Sequence, residues 1–544
     1  MGGGLLQIVA LGAQDAYISG NPQITFWKGL YKRHTNFAME ACRINFTGVA
    51  KWGNQQSVVV NRYADLMYST YLEVILPSYD PVQNPTAVYN NEQFRLGYNL
   101  LRYIELEIGG QVIDRLYGEF LFLWDTMTAT AEQNVMLQQM LSGAGRPLAF
   151  NYAANALVAT NGPATSINKN GLSAGVAIDV GSGITGTGGT GSTSGQTAFP
   201  GQVIAFADPT TCTQSAGNNP GSPNVIYVPI RFFYTRNPGS ALPLVALQYH
   251  EVKINIHWHS GQMVSGDYVN IPSPANPTSA SIYIDYIYLD TDERRRLAQE
   301  SHQYLIEQVQ YNENKGLSSY KNRIDLTFNH PVKELIWVVQ PTCYRNCKVA
   351  IPGTSGANVV VPKNDIGVRY SNVGGSNLYA NTNRLTPFTY DQTAVYKAHL
   401  QFNGTDRFDA RYGDYFNKVQ AWQHHTGAYA TTYVNYGVGT TSTNTPGNPA
   451  GYQSSYTTPL QGGATTSNQQ LGIYSYSFAL KPEEHQPSGT CNFSRLETAT
   501  LVLTLSGDIV INPNTDQTWD VRVYAINYNI LNIMSGMSGL LYSN

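Results

Sequence analysis

The sequence predicts an all-β protein of at least two domains, built from sandwiches or barrels. Its 544 residues are more than one hydrophobic core accommodates. Its composition favours sheets and turns: 38 Tyr, together with Val, Ile, Thr and Phe, suit strands, while 50 Gly, with Asn and Pro, suit the connections. Strand signals recur along the whole length, whereas long helical periodicity is rare.

In chain order, Tyr71–Leu76 (YLEVIL) reads as a strand. Val252–Trp258 alternates apolar and polar residues, as a half-buried strand does, and Leu501–Leu505 repeats that pattern. Ile282–Leu289 is apolar on both faces apart from Asp285, which predicts a strand buried between layers. Leu335–Val339 reads the same way. The best helical candidate is Thr291–Gln310, where Leu297, Leu305, Ile306 and Val309 would form an apolar stripe. Long polar loops are expected near 140–222, 260–280, 350–395 and 426–470; within the first, residues 158–196 are low-complexity Gly, Ser, Thr and Ala.

The halves echo each other. Pro238-Gly239-Ser240-Ala241 leads to Leu247 and the strand from Val252; Pro487-Ser488-Gly489-Thr490 leads to Leu496 and the strand from Leu501. Each matched position is displaced by 249 residues (487 − 238, 496 − 247), near half the chain, as a tandem duplication would give.

Charged residues make up 13% of the chain, about half the usual share of roughly 25%. The net charge of −3 gives no basic balance that would favour direct contact with nucleic acid. The five cysteines, Cys42, Cys212, Cys343, Cys347 and Cys491, are odd in number and sparse, which argues against a disulfide framework and for folding in a reducing compartment. No basic region precedes the apolar stretch Leu5–Ala10, no run is long enough to cross a bilayer as a helix, and Leu6 breaks the myristoylation pattern. A soluble protein made in the cytosol is the expectation.

Motifs that carry chemistry are incomplete. Gly181-Ser182-Gly183-Ile184-Thr185-Gly186 has dinucleotide-loop spacing, but more Gly, Thr and Ser follow where a helix should start. Cys343 and Cys347 could supply half of a metal site; His257, His259 and the His424-His425 pair are the available partners, with nothing in the spacing to join them. Glu483-Glu484-His485 and Asp406-Arg407-Phe408-Asp409 offer carboxylates that read more simply as solvated loop charges. In Asp292-Glu293-Arg294-Arg295-Arg296 the acids precede the bases, as a helix dipole prefers, so a helical connector is expected there. Asn45, Asn403 and Asn492 lie in glycosylation sequons, expected to stay unmodified by the secretory route.

Several blocks run through the chain in a fixed order. They include Gly12-Ala13-Gln14-Asp15, Gly20-Asn21-Pro22-Gln23-Ile24-Thr25-Phe26, Tyr31-Lys32-Arg33-His34-Thr35-Asn36-Phe37 and Asn237-Pro238-Gly239-Ser240-Ala241-Leu242-Pro243. Further on come Leu289-Asp290-Thr291-Asp292-Glu293-Arg294, Phe328-Asn329-His330-Pro331, Gly413-Asp414-Tyr415-Phe416-Asn417 and Gln486-Pro487-Ser488-Gly489-Thr490-Cys491-Asn492-Phe493. In combination these blocks resemble the major capsid protein of nucleocytoplasmic large DNA viruses.

The resemblance implies two tandem eight-stranded antiparallel jelly rolls with few short helices. It implies an N-terminal arm over 1–24, a first roll over 25–290, a connector over 291–303 and a second roll over 304–544. It also implies a homotrimer: three chains with two similar rolls each give six similar units, a near-hexagonal capsomer that tiles a closed shell. Implied partners are the chain itself, neighbouring capsomers, minor capsid and penton proteins and the inner membrane layer of the virion, with no direct contact to nucleic acid. No catalytic residue, cofactor or metal is expected, and the implied location is the virion, after assembly in the host cytoplasm. A carbohydrate-binding β-sandwich, with Tyr429 and Tyr433 stacking on sugar rings, is the alternative reading; a metal-dependent enzyme of the cupin type is a third, for which no His and carboxylate cluster is visible as a motif.

Overall fold

The computed structural model describes residues 3–24, 31–77, 96–130, 224–264, 273–342, 394–427, 472–505 and 518–542, with parts of 26–29, 133–141 and 350–360. Two antiparallel sandwiches follow one another. The first holds β1 (Phe37–Asn45), β2 (Gln55–Val59), β3 (Leu66–Leu76), β4 (Leu101–Ile108), β5 (Gln111–Tyr117), β6 (Asn224–Pro229), the two-residue β7 (Leu242–Pro243), β8 (Val252–Trp258) and β9 (Ser279–Leu289). Its sheets run β1-β9-β3-β6 and β2-β8-β4-β5, with β7 on the end of β3.

The second sandwich repeats this plan. It holds β10 (His302–Leu317), β11 (Lys321–Asp325), β12 (Pro331–Pro341), a small hairpin of β13 (Ala350–Pro352) and β14 (Asn358–Val360), β15 (Val395–Phe402), β16 (Thr405–Asp406), β17 (Arg411–Tyr412), β18 (Ile473–Ser477), β19 (Cys491–Asn492), β20 (Ala499–Leu505), β21 (Trp519–Met534) and β22 (Met537–Leu540). Its sheets run β10-β21-β12-β18 and β11-β20-β15-β16, with β19 on β12 as β7 is on β3. The echo of the two halves is therefore architectural: β8 and β20 hold the same place in equivalent sheets, and the single-turn helices Leu244–Ala246 and Phe493–Arg495 precede them 249 residues apart (493 − 244).

Inward-facing residues of both sheets fill the first sandwich: Leu72 and Val74 on β3, Ile104 and Leu106 on β4, Ile254 and Ile256 on β8, Ile282 and Ile284 on β9, all fully buried or within 1% of it. Burying each such side chain contributes roughly 1.5–3 kcal/mol relative to leaving it in water. β12 behaves differently because both of its faces are covered. Leu335, Trp337 and Val339 point into the second roll's core. Ile336 and Val338 point the other way, into a cluster continuous with the first roll. A strand buried on both sides needs an unbroken apolar run, which explains Leu335–Val339.

Four expectations are corrected. The helix α4, Thr291–Gln299, stops well short of Gln310, and His302–Leu317 is the long strand β10. Asp290 caps the helix by accepting a hydrogen bond from the Thr291 N–H, and Arg296 pairs with Glu300 at its end. Beyond it, pairing of His302–Asn314 with β21 satisfies the backbone and overrides the helical spacing of Leu305, Ile306 and Val309. Ile282–Leu289 is fully closed on one face only: Ile282, Ile284 and Tyr286 are inaccessible, whereas on the other face Ile287 is buried but Tyr283 and Asp285 remain partly open. Part of the loop expected at 350–395 is the β13-β14 hairpin, and part of that at 260–280 is a one-turn helix, Gly261–Val264.

Candidate assembly interfaces

The joint between the rolls is built from the outer face of β10-β21-β12-β18 and from α3, Gly118–Thr128, which follows β5. The segment Gly118-Glu119-Phe120-Leu121-Phe122-Leu123-Trp124 is apolar all round save one acid, so it folds as a helix buried on every side. Its Gly118 is required: an added Cβ would overlap the carbonyl oxygens of Tyr98 and Leu101.

A buried polar cluster pins this joint. Arg522 of β21, inaccessible to solvent, donates from Nε and Nη2 to the two carboxylate oxygens of Glu119, both at 2.6 Å, and from Nη2 to Gln340 at 2.8 Å. The Tyr524 hydroxyl donates to Glu119 at 2.6 Å. Burial, and then the Glu119 charge, push the Tyr524 phenol well above its ordinary value.

A second cluster lies nearby. Lys333 Nζ donates to Glu307 at 2.6 Å, Arg236 of the first roll pairs with the same carboxylate, and both cations lie over the Trp124 ring. Burial alone would raise the Glu307 carboxyl, but Arg236 and Lys333 hold it below the usual range. Asp114 on β5 accepts from the Val309 N–H of β10 at 3.1 Å. Burial pushes its carboxyl up to about 7, offset in part by the Val309 and Arg115 N–H groups and by Arg236.

Two latches complete the joint. Gly427 N donates to the Met127 carbonyl at 2.8 Å, and Thr426 Oγ1 lies 3.1 Å from the Thr128 carbonyl, tying the second roll to the end of α3. Behind Thr426, His425 sits between Glu334 (2.6 Å from Nε2) and Glu483 (3.0 Å from Nδ1). Burial would lower the His425 pKa, but the two carboxylates carry it up to about 9, so the ring is an imidazolium bridging them. At the C-terminal hairpin, Tyr249 N donates to Gly536 O and Ser538 N donates to His250 Nδ1, fastening β21-β22 to the first roll.

Other surfaces are open. The arm forms two short helices, α1 (Gly3–Val9) and α2 (Ala13–Ser19), with no buried residue; Leu5, Leu6, Ile8, Val9, Tyr17 and Ile18 are all exposed. Apolar exposure on that scale marks a contact surface for another molecule.

The candidates read from sequence do not converge. His257 stacks on Tyr103 with ring centres 4.1 Å apart, and its Nε2 is 3.6 Å from Glu105. His424 contacts the Leu480 carbonyl, Glu484 pairs with exposed Lys481, and Asp406 accepts from Gln401. Of that group only Glu483 and His425 meet. Arg294, from the charge run on α4, reaches back to buried Asp65 at 2.5 Å. Among the described residues no three His, Cys, Asp or Glu side chains cluster as a metal site. Asn45, Asn403 and Asn492 are exposed; Asn403 Oδ1 accepts from the Glu497 and Thr498 N–H groups, and Asn492 Oδ1 from the Ser494 N–H. Gly181–Gly186, Cys212, Cys343, Cys347, Tyr429 and Tyr433 lie outside the described residues. Sequence reading missed Glu119, Arg522 and Lys333. The signal that could have found them is a lone charge inside an apolar run, which is tolerated only when paired.

Comparison with known proteins agrees with this architecture. Residues 25–290 match the family described as major capsid protein N-terminus, and 293–451 with 441–539 match the large eukaryotic DNA virus major capsid protein. The major capsid protein of Phaeocystis pouchetii virus is 37% identical over 609 aligned positions, covering 100% of both chains. That of Paramecium bursaria Chlorella virus 1 is 33% identical, again over 100% of both. Among solved structures, a quasi-atomic model of the PBCV-1 virus capsid superposes with a TM-score of 0.58 at 29% identity, covering 96% of this chain and 100% of that one. The Faustovirus major capsid protein shares the fold, with a TM-score of 0.54 at 10% identity. The chain belongs to the major capsid protein family of large eukaryotic DNA viruses, and is a structural, non-enzymatic component of the virion shell.

Proposed function

We propose that the chain assembles as a homotrimer of near-hexagonal outline, the capsomer that tiles an icosahedral shell. The observation that carries this is the repeated plan of the two rolls, each with two facing sheets whose four-strand paths correspond in order. Three such chains present six similar units, and a six-fold outline packs a plane without gaps. The domain division is 25–290 and 304–544 about the connector 291–303, with β10 reaching back to His302. The exposed apolar arm over 1–24 lies on the inner side, against neighbouring capsomers, minor capsid and penton proteins or the inner membrane layer, and assembly takes place in the host cytoplasm. The sequons at Asn45, Asn403 and Asn492 stay unmodified by the secretory route. Size-exclusion chromatography with light scattering tests the central point: the mass of three chains is expected, and a stable monomer at high concentration refutes it.

A further inference from the structure

The sheet that joins the two rolls has a twin. β10-β21-β12-β18 rests its outer face on β5 and α3, and β1-β9-β3-β6 has the same strand order. The corresponding face of the twin stays partly open: Arg43 is 44% accessible, and Tyr71, Tyr227, Tyr283 and Asp285 are half-buried.

Ladder registers place the two faces in correspondence, residue by residue. Leu66 pairs with Pro243 and Pro331 with Asn492; Pro243 and Asn492 are 249 residues apart (492 − 243), the spacing of the sequence echo. Counting on from there, Leu72 pairs with Ile282 as Trp337 pairs with Val523. Both ladders carry an irregularity at the matching place, between Met67 and Thr70 and between Val332 and Glu334. Tyr283 therefore occupies the place of Tyr524, and Arg43, paired with Tyr283, that of Tyr311, paired with Tyr524. Glu73 and its partner Tyr227 stand where Val338 and Ile473 stand, and Asp285 where Ile526 stands.

The surface that receives Tyr524 is duplicated as well. Tyr524 lies 6.1 Å from the Tyr117 ring and 5.7 Å from the Phe120 ring and donates to Glu119. These residues belong to Tyr117-Gly118-Glu119-Phe120, where β5 passes into α3. Where β17 passes into the helical stretch Tyr415–Val419 and α5 (Gln420–His424), the sequence is Tyr412-Gly413-Asp414-Tyr415. There Tyr412 is 59% exposed and Trp422 83%. Asp414, its side chain 41% accessible, meets Lys418 at 3.1 Å through Oδ2.

We propose that the β1-β9-β3-β6 face of one copy docks on the Tyr412–Trp422 surface of a second copy, with Tyr283 donating to Asp414 as Tyr524 donates to Glu119. Tyr412 and Tyr415 flank the incoming ring as Tyr117 and Phe120 flank Tyr524, and Arg43 brings a positive charge beside Tyr283 toward Asp414. The contact is head-to-tail, so it propagates from copy to copy, and under the trimeric reading three such contacts complete the ring. It rests on the trimeric reading above and assigns residues to it.

The test places benzoylphenylalanine at position 283 in the full-length chain and irradiates a mixture of isotopically light and heavy copies. Crosslinks between light and heavy chains within 407–424 are expected. In parallel, Tyr283→Phe and Asp414→Asn should each raise the trimer dissociation constant at least about tenfold, the effect of losing one charge-assisted hydrogen bond. A trimer whose crosslinks from position 283 fall elsewhere, or whose affinity ignores both substitutions, overturns the docking alone. A wild-type chain that stays monomeric overturns the trimeric reading and the docking with it.

Discussion

Glu119→Ala strips the inter-roll joint of its central charge, and the structure sets the size of the loss. Arg522 is fully buried, so no water replaces the carboxylate that takes two of its hydrogen bonds at 2.6 Å. The Tyr524 hydroxyl loses its acceptor in the same step. Removing one partner of a buried pair costs about 3–5 kcal/mol, because the remaining charge has been taken out of water without compensation. About 4 kcal/mol is the expectation, a large share of the roughly 5–15 kcal/mol that holds a domain folded. Replacing both partners by apolar residues of similar size, Glu119→Leu with Arg522→Met, removes the stranded charge and should fall within about 2 kcal/mol of wild type. Urea unfolding followed by tryptophan fluorescence at one fixed protein concentration measures both. A single variant that loses under 1 kcal/mol, or a double variant as weak as the single, refutes the reasoning.

The buried titratable groups give two pH signatures of different position. His425 is raised from 6.5 to about 9, so its contribution is fully present below pH 6.5 and is lost as pH rises through 9. The shift (9 − 6.5) corresponds to about 3 kcal/mol, and thermal unfolding between pH 6 and 10 should show the decline in wild type and not in His425→Phe. Asp114 is raised from 3.8 to about 7, so its neutral form favours folding below 3.8 and the benefit is lost as pH rises through 7. Asp114→Asn keeps an acceptor for the Val309 N–H and should raise the unfolding midpoint at pH 8 but not at pH 3.5; equal effects at both would remove burial of the charge as the cause.

Much of the fold was legible because strands leave period-two and all-apolar patterns. Val252–Trp258, Leu335–Val339 and Leu501–Leu505 were all readable, and the 249-residue echo marked the two strands that prove equivalent. β10 was not readable: Glu307 and Gln308 interrupt its apolar positions, and their reason lies across the joint, in Arg236 and Ile113. The assembly surfaces were less legible still. A half-buried tyrosine and a core tyrosine look alike in a sequence, and only the ladder registers reveal that Tyr283 and Tyr524 hold one position in two environments.

That difference of environment explains how the two halves diverged. Within the chain the joint forms as the chain folds and never opens to water, so it tolerates aliphatic residues at Val338, Ile473 and Ile526. Under the proposed docking, a face that stays soluble until a second copy arrives cannot carry that surface without inviting aggregation. At the same three places it carries Glu73, Tyr227 and Asp285, and Arg43 answers Glu73 at 3.2 Å where the joint has Tyr311 facing its own ring partners. Tyrosine suits both tasks, since its ring packs and its hydroxyl remains hydrated until a carboxylate replaces the water.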